Sequence, residues 1–585
     1  MTNDAVVGWG SANAPWAKSD NVSVSRAVCD ALVELGVKDA FGILGGGIAP
    51  FAAGMDLTAL QFRSFRHEAG AGFAAIEAHH ATGKPTLVIV TTGPGLANVI
   101  NAAIAARVDG AKVLFVSGAT SSGQRGRGAV QETHDAVLSS DWYRAGPLFH
   151  LAALPDTVDE VAHFLARLQV SFARPGGFVA HLALPWALQA ELTTRSLTPP
   201  RWTLPTSPPS PEAIEACLAA LREPTAVLWL GHGASPAAVD LVAFAERACL
   251  PVLSSPRAKG VMPELHRLHV GVSGAGGGVA VKAFVAAFQP QRAVVVGTRL
   301  GEVTSFLAPS LLPAEGIVHV DIDDDAFGAA FPAVGGIGIV CESKAFAAAL
   351  LARAAQTDFF AARSHHTETV LRAVQAARAA VPADVIDSSD DDVDPRVLMG
   401  AIQTHILDGS DAVVMSEAGT SFTWCNSHLR FAQPGRYRTS ASWGSMGHFT
   451  SGAVGAALAG ERRVVAVVGD GAMLMNNEIN TAVQYGARVV WIILNDAQLG
   501  LNEHGMRALG MKPVATQMPR VDFVGFAKSQ GADGIAVNTA ADLDHALTAA
   551  MQATGPFIVD VRIARAVPSP VVADRIKSLR TQGQR

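Results

Sequence analysis

The chain predicts an α/β protein of three consecutive domains, each a mostly parallel sheet flanked by helices, and three features of the sequence point there. Its 585 residues exceed what one hydrophobic core holds. Short continuous apolar runs, the signature of strands buried on both faces, alternate with alanine-rich stretches at helical spacing. Hydrophobic residues are 49% and charged ones 16% of the whole, as deeply buried parallel sheets require.

The first block, 22–190, opens with a helix over Ser23 to Leu35, whose Val24, Ala27, Val28, Ala31, Leu32 and Leu35 share one face and which Gly36 ends. A short strand, Ala40 to Leu44, runs into Gly45-Gly46-Gly47. Helices follow over Ala69 to Ala81 and Leu96 to Arg107, and strands over Thr86 to Thr91, Ala111 to Val116 and Gly177 to Leu184. The stretch 191–211 carries Pro199, Pro200, Pro205, Pro208, Pro209 and Pro211, which cannot continue a helix or a central strand, so it is a linker. In the middle block, 212–355, strands are predicted at Ala226 to Leu230, Val252 to Ser255, Ala293 to Gly297 and Ile317 to Ile322. A second connector, 356–393, holds a helix and the acidic run Asp387 to Asp392, a solvated segment without a metal-ligand pattern. The last block, 394–585, has strands at Ala412 to Met415, Val464 to Val468 and Val489 to Leu494, with a helix over Met475 to Tyr485.

Composition excludes several classes. A formal charge of -6 with no basic stripe argues against nucleic acid. Cys29, Cys217, Cys249, Cys341 and Cys425 lack paired spacing, so neither a disulfide framework nor a zinc site is expected. The segment Met1 to Asn21 lacks a secretory pattern and no apolar run reaches spanning length, giving the expectation of a cytoplasmic protein that touches no membrane.

Chemistry concentrates at two strand ends in the last block. Gly469-Asp470-Gly471 follows one apolar run, and Asn495-Asp496 ends the next. Magnesium takes one or two protein carboxylates and leaves the rest of its shell to phosphate and water oxygens, and glycines let main-chain amides approach a diphosphate. Ligands of parallel sheets bind at this carboxyl edge.

Far upstream, Arg66-His67-Glu68 precedes Thr91-Thr92-Gly93-Pro94-Gly95 and Asn98. With Gly469-Asp470-Gly471, this set resembles the thiamine-diphosphate-dependent enzymes of the acetolactate synthase and pyruvate decarboxylase group, most of all the acetolactate synthase large subunits. Arg174-Pro175-Gly176, Lys259-Gly260 and His319 to Asp323 extend the resemblance over nearly the whole chain. It implies an N-terminal pyrimidine-binding domain, a central domain and a C-terminal diphosphate-binding domain.

The resemblance also implies roles. Glu68 would bond the aminopyrimidine ring of thiamine diphosphate and favour its imino form, with His67 beside it. Gly45, Gly46, Gly93, Pro94 and Asn98 would complete that half of the cofactor site. Ser416-Glu417-Ala418-Gly419-Thr420 resembles the first diphosphate turn, contributing Gly419 and Thr420. In Gly444-Ser445-Met446-Gly447, Met446 would prop the cofactor into its bent shape and main-chain groups at Gly444 would bond the pyrimidine. Gly469, Gly471, Ala472 and Leu499 complete the diphosphate side. The implied Mg2+ ligands are Asp470, Asp496 and the carbonyl of Gln498, with Asn495 as the alternative to Asp496, since the family has two asparagines where this chain has Asn495-Asp496. Gln131-Glu132 resembles the acetolactate synthase pattern, in which the glutamine lies by the active site, whereas pyruvate decarboxylases carry adjacent histidines and this region has only His134. Because Glu68 and Asp470 lie in different domains, and in relatives these belong to different subunits, a homodimer or homotetramer with sites at the subunit interface is implied. FAD is a further candidate, at Gly297-Thr298-Arg299 and Asp321-Ile322-Asp323.

Three functions follow. The first is a carboligase joining an acyl-anion equivalent from a 2-oxo acid, pyruvate foremost, to a second carbonyl acceptor. The alternative is a 2-oxo acid decarboxylase or a 1,2-diketone-cleaving lyase or hydrolase with the same cofactor; the third is a non-catalytic homologue. The loop Gly500 to Met506 differs from the branched-chain biosynthetic enzyme and is expected to face substrate, with Glu503 and His504 as its polar groups.

Overall fold

A computed structural model describes residues 21–204, 208–384, 386 and 392–570; residues 1–20, Pro205 and Asp387 to Asp391 of the segments discussed above lie outside the described residues. The chain divides at Leu204 into two compact units.

The first unit holds one six-stranded parallel sheet, with strands β1 (Asp39–Gly42), β2 (Gln61–Ser64), β3 (Thr86–Val90), β4 (Lys112–Ala119), β5 (Leu151–Ala153) and β6 (Phe178–Pro185). Its order is β2-β1-β3-β4-β6-β5. The central strand β3 is buried at all five positions, as its uninterrupted Thr-Leu-Val-Ile-Val run requires. The edge strand β2 has one apolar residue, Phe62, and carries no run to read.

The second unit contains two such sheets. One has β7 (Val227–Leu230), β8 (Val252–Ser254), β9 (His269–Val272), β10 (Ala293–Val296), β11 (Ile317–Asp321) and β12 (Gly336–Val340), in the order β9-β8-β7-β10-β11-β12. The other has β13 (Val413–Ser416), β14 (Tyr437–Thr439), β15 (Val464–Gly469), β16 (Val489–Asn495), β17 (Asp533–Val537) and β18 (Phe557–Arg562), in the order β14-β13-β15-β16-β18-β17. All pairings in the three sheets are parallel. The first and last sheets therefore repeat one topology, which the sequence alone does not display. In both, strand order reverses between the first and third strands, and such a switch point opens a crevice at the carboxyl edge.

Two expectations are corrected. The helix placed over Met475 to Tyr485 covers only Ile479–Tyr485, because Asp470–Met473 forms its own short turn and Asn476 takes a positive φ of 46°. The stretch from Gly500 is a helix, Gly500–Ala508, rather than a loop. Its Glu503 and Arg507 pair one turn apart, which suits helix and no hinge.

Within the second unit, Lys259 joins the segment around β8 to that around β13. Its Nζ donates to Glu264 Oε2 and to the Asn426 carbonyl, each at 2.9 Å, and the side chain is wholly buried. Burial pulls its pKa down to about 8 despite the Glu264 charge. Next to it, Gly260 has φ +83° and a side chain there would lie 2.1 Å from the Gln433 carbonyl, so only glycine fits. The five cysteines are buried free thiols. No helix among the described residues is long and apolar enough to cross a membrane.

Candidate active site

In the first unit the loops after β1 and β3 meet at the switch point. A side chain at Gly45 would lie 2.7 Å from Thr91 Oγ1, and one at Gly47 1.8 Å from Thr92 Oγ1, so these glycines let the two loops touch. Gly46 faces open space. Glu68 begins the helix Glu68–Thr82 and is buried. Pro94 occupies the first turn of the helix Pro94–Asp109, where its missing N–H is no loss. One turn on, Asn98 Nδ2 donates to Glu68 Oε2 at 3.0 Å, and a Cβ at Gly95 would lie 3.0 Å from Thr91 Cγ2 and 3.6 Å from Glu68 Oε1. Gly93, with φ +60°, leaves room for the main chain of Gln131, whose carbonyl would be 2.9 Å from a Gly93 Cβ. Gln131 itself has φ +55° and an exposed side chain. Thus Glu68, Gly93, Pro94, Asn98 and Gln131 come together.

His67 stands at the start of the Glu68 helix. Its Nδ1 accepts the Ala69 amide at 3.1 Å and caps the Glu68 helix. His134 Nδ1 likewise accepts the Ala136 amide.

In the second unit the loops after β13, β15 and β16 converge. The Asp470 carboxylate accepts the Gly471 amide at 2.7 Å, and the nearby main-chain amides of Ala497 and Gln498 oppose the rise of its pKa. Burial, then the charge of Asp496, push Asp470 up to about 7; burial also raises Asp496. A buried and a half-buried carboxylate, both with raised pKa, beside main-chain amides form a donor set that fits a divalent cation. Asn495 is turned elsewhere: its Nδ2 donates to Asp560 Oδ1 at 2.8 Å and to the Val521 carbonyl at 3.0 Å. Asp496, one residue on, is the side chain placed against Asp470.

A Cβ at Gly471 would lie 2.9 Å from Leu499 Cδ2 and 3.3 Å from Met446 Cε, so those two apolar side chains meet over the Gly469-Asp470-Gly471 turn, with Ala472 buried behind it. Thr420 opens the helix Thr420–His428 after Gly419, whose φ of +107° and open surroundings leave its main chain accessible. The Thr420 methyl and Asp496 both approach Gly500. Gly444 has φ +72° and its amide donates to the Ser440 carbonyl at 3.0 Å.

Other contacts around this site join residues distant in the sequence. Glu417 is fully buried, accepts the Phe449 amide at 2.9 Å, and is pushed up to about 7 by burial, the His448 charge opposing. The segment Thr516 to Met518, which has no periodic pattern, runs antiparallel to the metal loop: Leu499 N donates to the Thr516 carbonyl at 2.7 Å and Met518 N to the Ala497 carbonyl at 2.9 Å. His504 Nε2 lies 3.3 Å from the Arg565 carbonyl, and Arg565 Nε donates to the Asp496 carbonyl. In the central sheet, Arg299 is paired with Asp323, so the two groups set apart for FAD bond each other.

Profiles of thiamine pyrophosphate enzymes match three segments: the N-terminal TPP-binding domain over residues 22–139, the central domain over 213–350 and the C-terminal TPP-binding domain over 417–561. The chain is 30% identical over 524 residues to a Mycobacterium tuberculosis protein named among the acetolactate synthase large subunits, covering 86% of this chain and 91% of the relative. The chain belongs to the thiamine-diphosphate-dependent enzymes. Within this family its relatives include an acetolactate synthase of Mycobacterium avium, 28% identical with 91% of this chain covered, and isozyme 1 of the Escherichia coli large subunit, 26% identical with 91% covered. As a thiamine-diphosphate enzyme of the acetolactate synthase type, it has Glu68, Asn98 and Gln131 within the N-terminal match, and Gly419, Met446, Asp470 and Asp496 within the C-terminal one.

Proposed function

We propose that this enzyme is a magnesium-dependent carboligase that takes a two-carbon acyl unit from pyruvate and joins it to a second carbonyl compound. The observation that supports the choice of carboligation is the Gln131 main chain seated against Gly93, with its side chain exposed at the start of the helix that carries Asn98. A neutral amide there can bond a carbonyl acceptor without delivering a proton, whereas the histidine of the same region, His134, is held as a turn cap. Magnesium would be held by Asp470, Asp496 and the Gln498 carbonyl, and the diphosphate by the main chain at Gly419, Thr420, Gly469, Gly471 and Ala472. Met446, Leu499 and Gly444 would flank the rings. Thiamine diphosphate, when bound, supplies the carbon nucleophile and the electron sink that a 2-oxo acid needs to lose carbon dioxide.

The chain's own part is proton placement and orientation. Glu68, buried and oriented by Asn98, holds a proton toward a ring nitrogen. Over the reaction one C–C bond to carbon dioxide breaks, one C–C bond to the acceptor forms, and the acceptor oxygen ends as a hydroxyl. Incubation with pyruvate and a panel of aldehydes, ketones and 2-oxo acids, with products identified by mass, tests this; free acetaldehyde as the sole product would overturn it.

That second outcome has its own support in His504, whose buried Nδ1 has no partner among the described residues and which could protonate a product. The assembly proposed is a homodimer or homotetramer, read by light scattering. Whether FAD binds is answered by the visible absorption spectrum of the purified protein.

A further inference from the structure

We propose that the side chain of Gln498 is a positioning residue that makes an aspartate, rather than an asparagine, the fitting metal ligand at position 496. This rests on the reading of Asp470 and Asp496 as magnesium ligands.

Gln498 Nε2 donates to Asp496 Oδ2 at 3.0 Å. Its amide cannot turn over, because Gln498 Oε1 accepts from Gln517 Nε2 at 3.2 Å. Gln517 is fixed in turn: its Nε2 also reaches Glu503 Oε2 at 3.4 Å, and its neighbours Thr516 and Met518 are bonded to the main chain of Leu499 and Ala497. Glu503 is buried and bonded by the Thr516 hydroxyl and, at 2.7 Å, by Arg507 Nε. A continuous series of hydrogen bonds thus runs from Asp496 to the helix Gly500–Ala508. The Asp496 oxygen on this side has its space reserved, since a Cβ at Gly500 would lie 2.9 Å from Oδ2.

The donor inventory then decides the residue type. A carboxylate accepts on both oxygens, so Oδ2 serves Gln498 while Oδ1 serves a cation. An asparagine has one oxygen. Turned toward the cation, it would aim its NH2 at the Gln498 NH2, two donors in contact; turned toward Gln498, it would aim NH2 at the cation. Exchanging the two side-chain types, Asp496→Asn together with Gln498→Glu, restores the match. The carboxylate then at position 498 would accept both from the amide at position 496 and from Gln517, the amide oxygen at position 496 would face the cation, and the net charge would be kept.

The test is titration of Mg2+ into the full-length protein with thiamine diphosphate present, followed by isothermal calorimetry, for wild type, Asp496→Asn, Asp496→Asn with Gln498→Glu, and Gln498→Met. Outer-shell partners are worth about 10–100-fold in metal affinity, so Asp496→Asn and Gln498→Met are each expected to weaken Mg2+ at least tenfold. The double variant is expected to recover most of the loss. A double variant no tighter than Asp496→Asn, or a Gln498→Met protein that binds like wild type, overturns the inference. Wild type that takes up no Mg2+ overturns the magnesium reading itself. Should Asp496→Asn not fold, Gln498→Met and Gln517→Met, each expected to bind Mg2+ more weakly, carry the test alone.

Discussion

The Asp496 carboxylate lies close enough to that of Asp470 for its charge to add to burial in raising the Asp470 pKa to about 7. Two like charges, one buried and one half-buried, are unfavourable without a cation, and that repulsion is relieved by the ligand the site is proposed to hold. Addition of Mg2+ with thiamine diphosphate is therefore expected to raise the thermal midpoint, a ligand at a hundred times its Kd contributing about 2.7 kcal/mol. Asp470→Ala is expected to abolish the rise, and scanning fluorimetry with and without chelator reads it.

Asn98 Nδ2 donates to Glu68 Oε2 at 3.0 Å and so orients the carboxylate proposed to handle the proton. Glu68→Gln is expected to lower kcat with pyruvate by about 10²–10⁴-fold, the usual contribution of general acid–base catalysis. Asn98→Ala should lower kcat by a smaller factor while binding of thiamine diphosphate is retained. Steady-state rates beside cofactor titrations check both; full turnover in Glu68→Gln would rule out the assigned role.

Glu417 makes stability depend on pH. Its carboxyl has an ordinary value of 4.5 when unfolded and about 7 when folded, so the native state holds the extra proton between those limits. The stabilisation is complete below pH 4.5 and is lost as pH rises through about 7. Glu417→Gln keeps an acceptor for the Phe449 amide and cannot ionise. Its thermal midpoint should gain on wild type between about pH 5 and pH 7.5, and parallel curves across that window would refute the assignment.

Lys259 and Glu264 are a fully buried ion pair. Lys259→Met leaves Glu264 without its cation and the Asn426 carbonyl without a donor, so a loss of about 3–5 kcal/mol is expected. Lys259→Met with Glu264→Leu removes both charges and should regain much of it. Denaturant titration of the single and double variants measures the difference.

Central strands were readable because burial on both faces demands uninterrupted apolar residues, as in β3, β15 and β16. Edge strands such as β2 and β5 were not, since one neighbour and a solvated side relax that demand. The glycine at Gly93 stood out, and its φ of +60° with the Gln131 carbonyl 2.9 Å from a Cβ there admits few other residues. The cap formed by His67 was hidden, because a histidine before a helix reads the same whether it caps or catalyses.

The sequence by itself determined the fold class and the thiamine-diphosphate family, because those depend on local patterns and short motifs. Only the tertiary structure decided that the first and last sheets repeat one strand order, that Asn495 Nδ2 bonds Asp560 while Asp496 Oδ2 bonds Gln498, and that Gln517 and Glu503 stand behind Gln498. Those relationships join residues distant in the chain or turn on which way one side chain points, and hydrogen-bond direction is set by packing that no local pattern records.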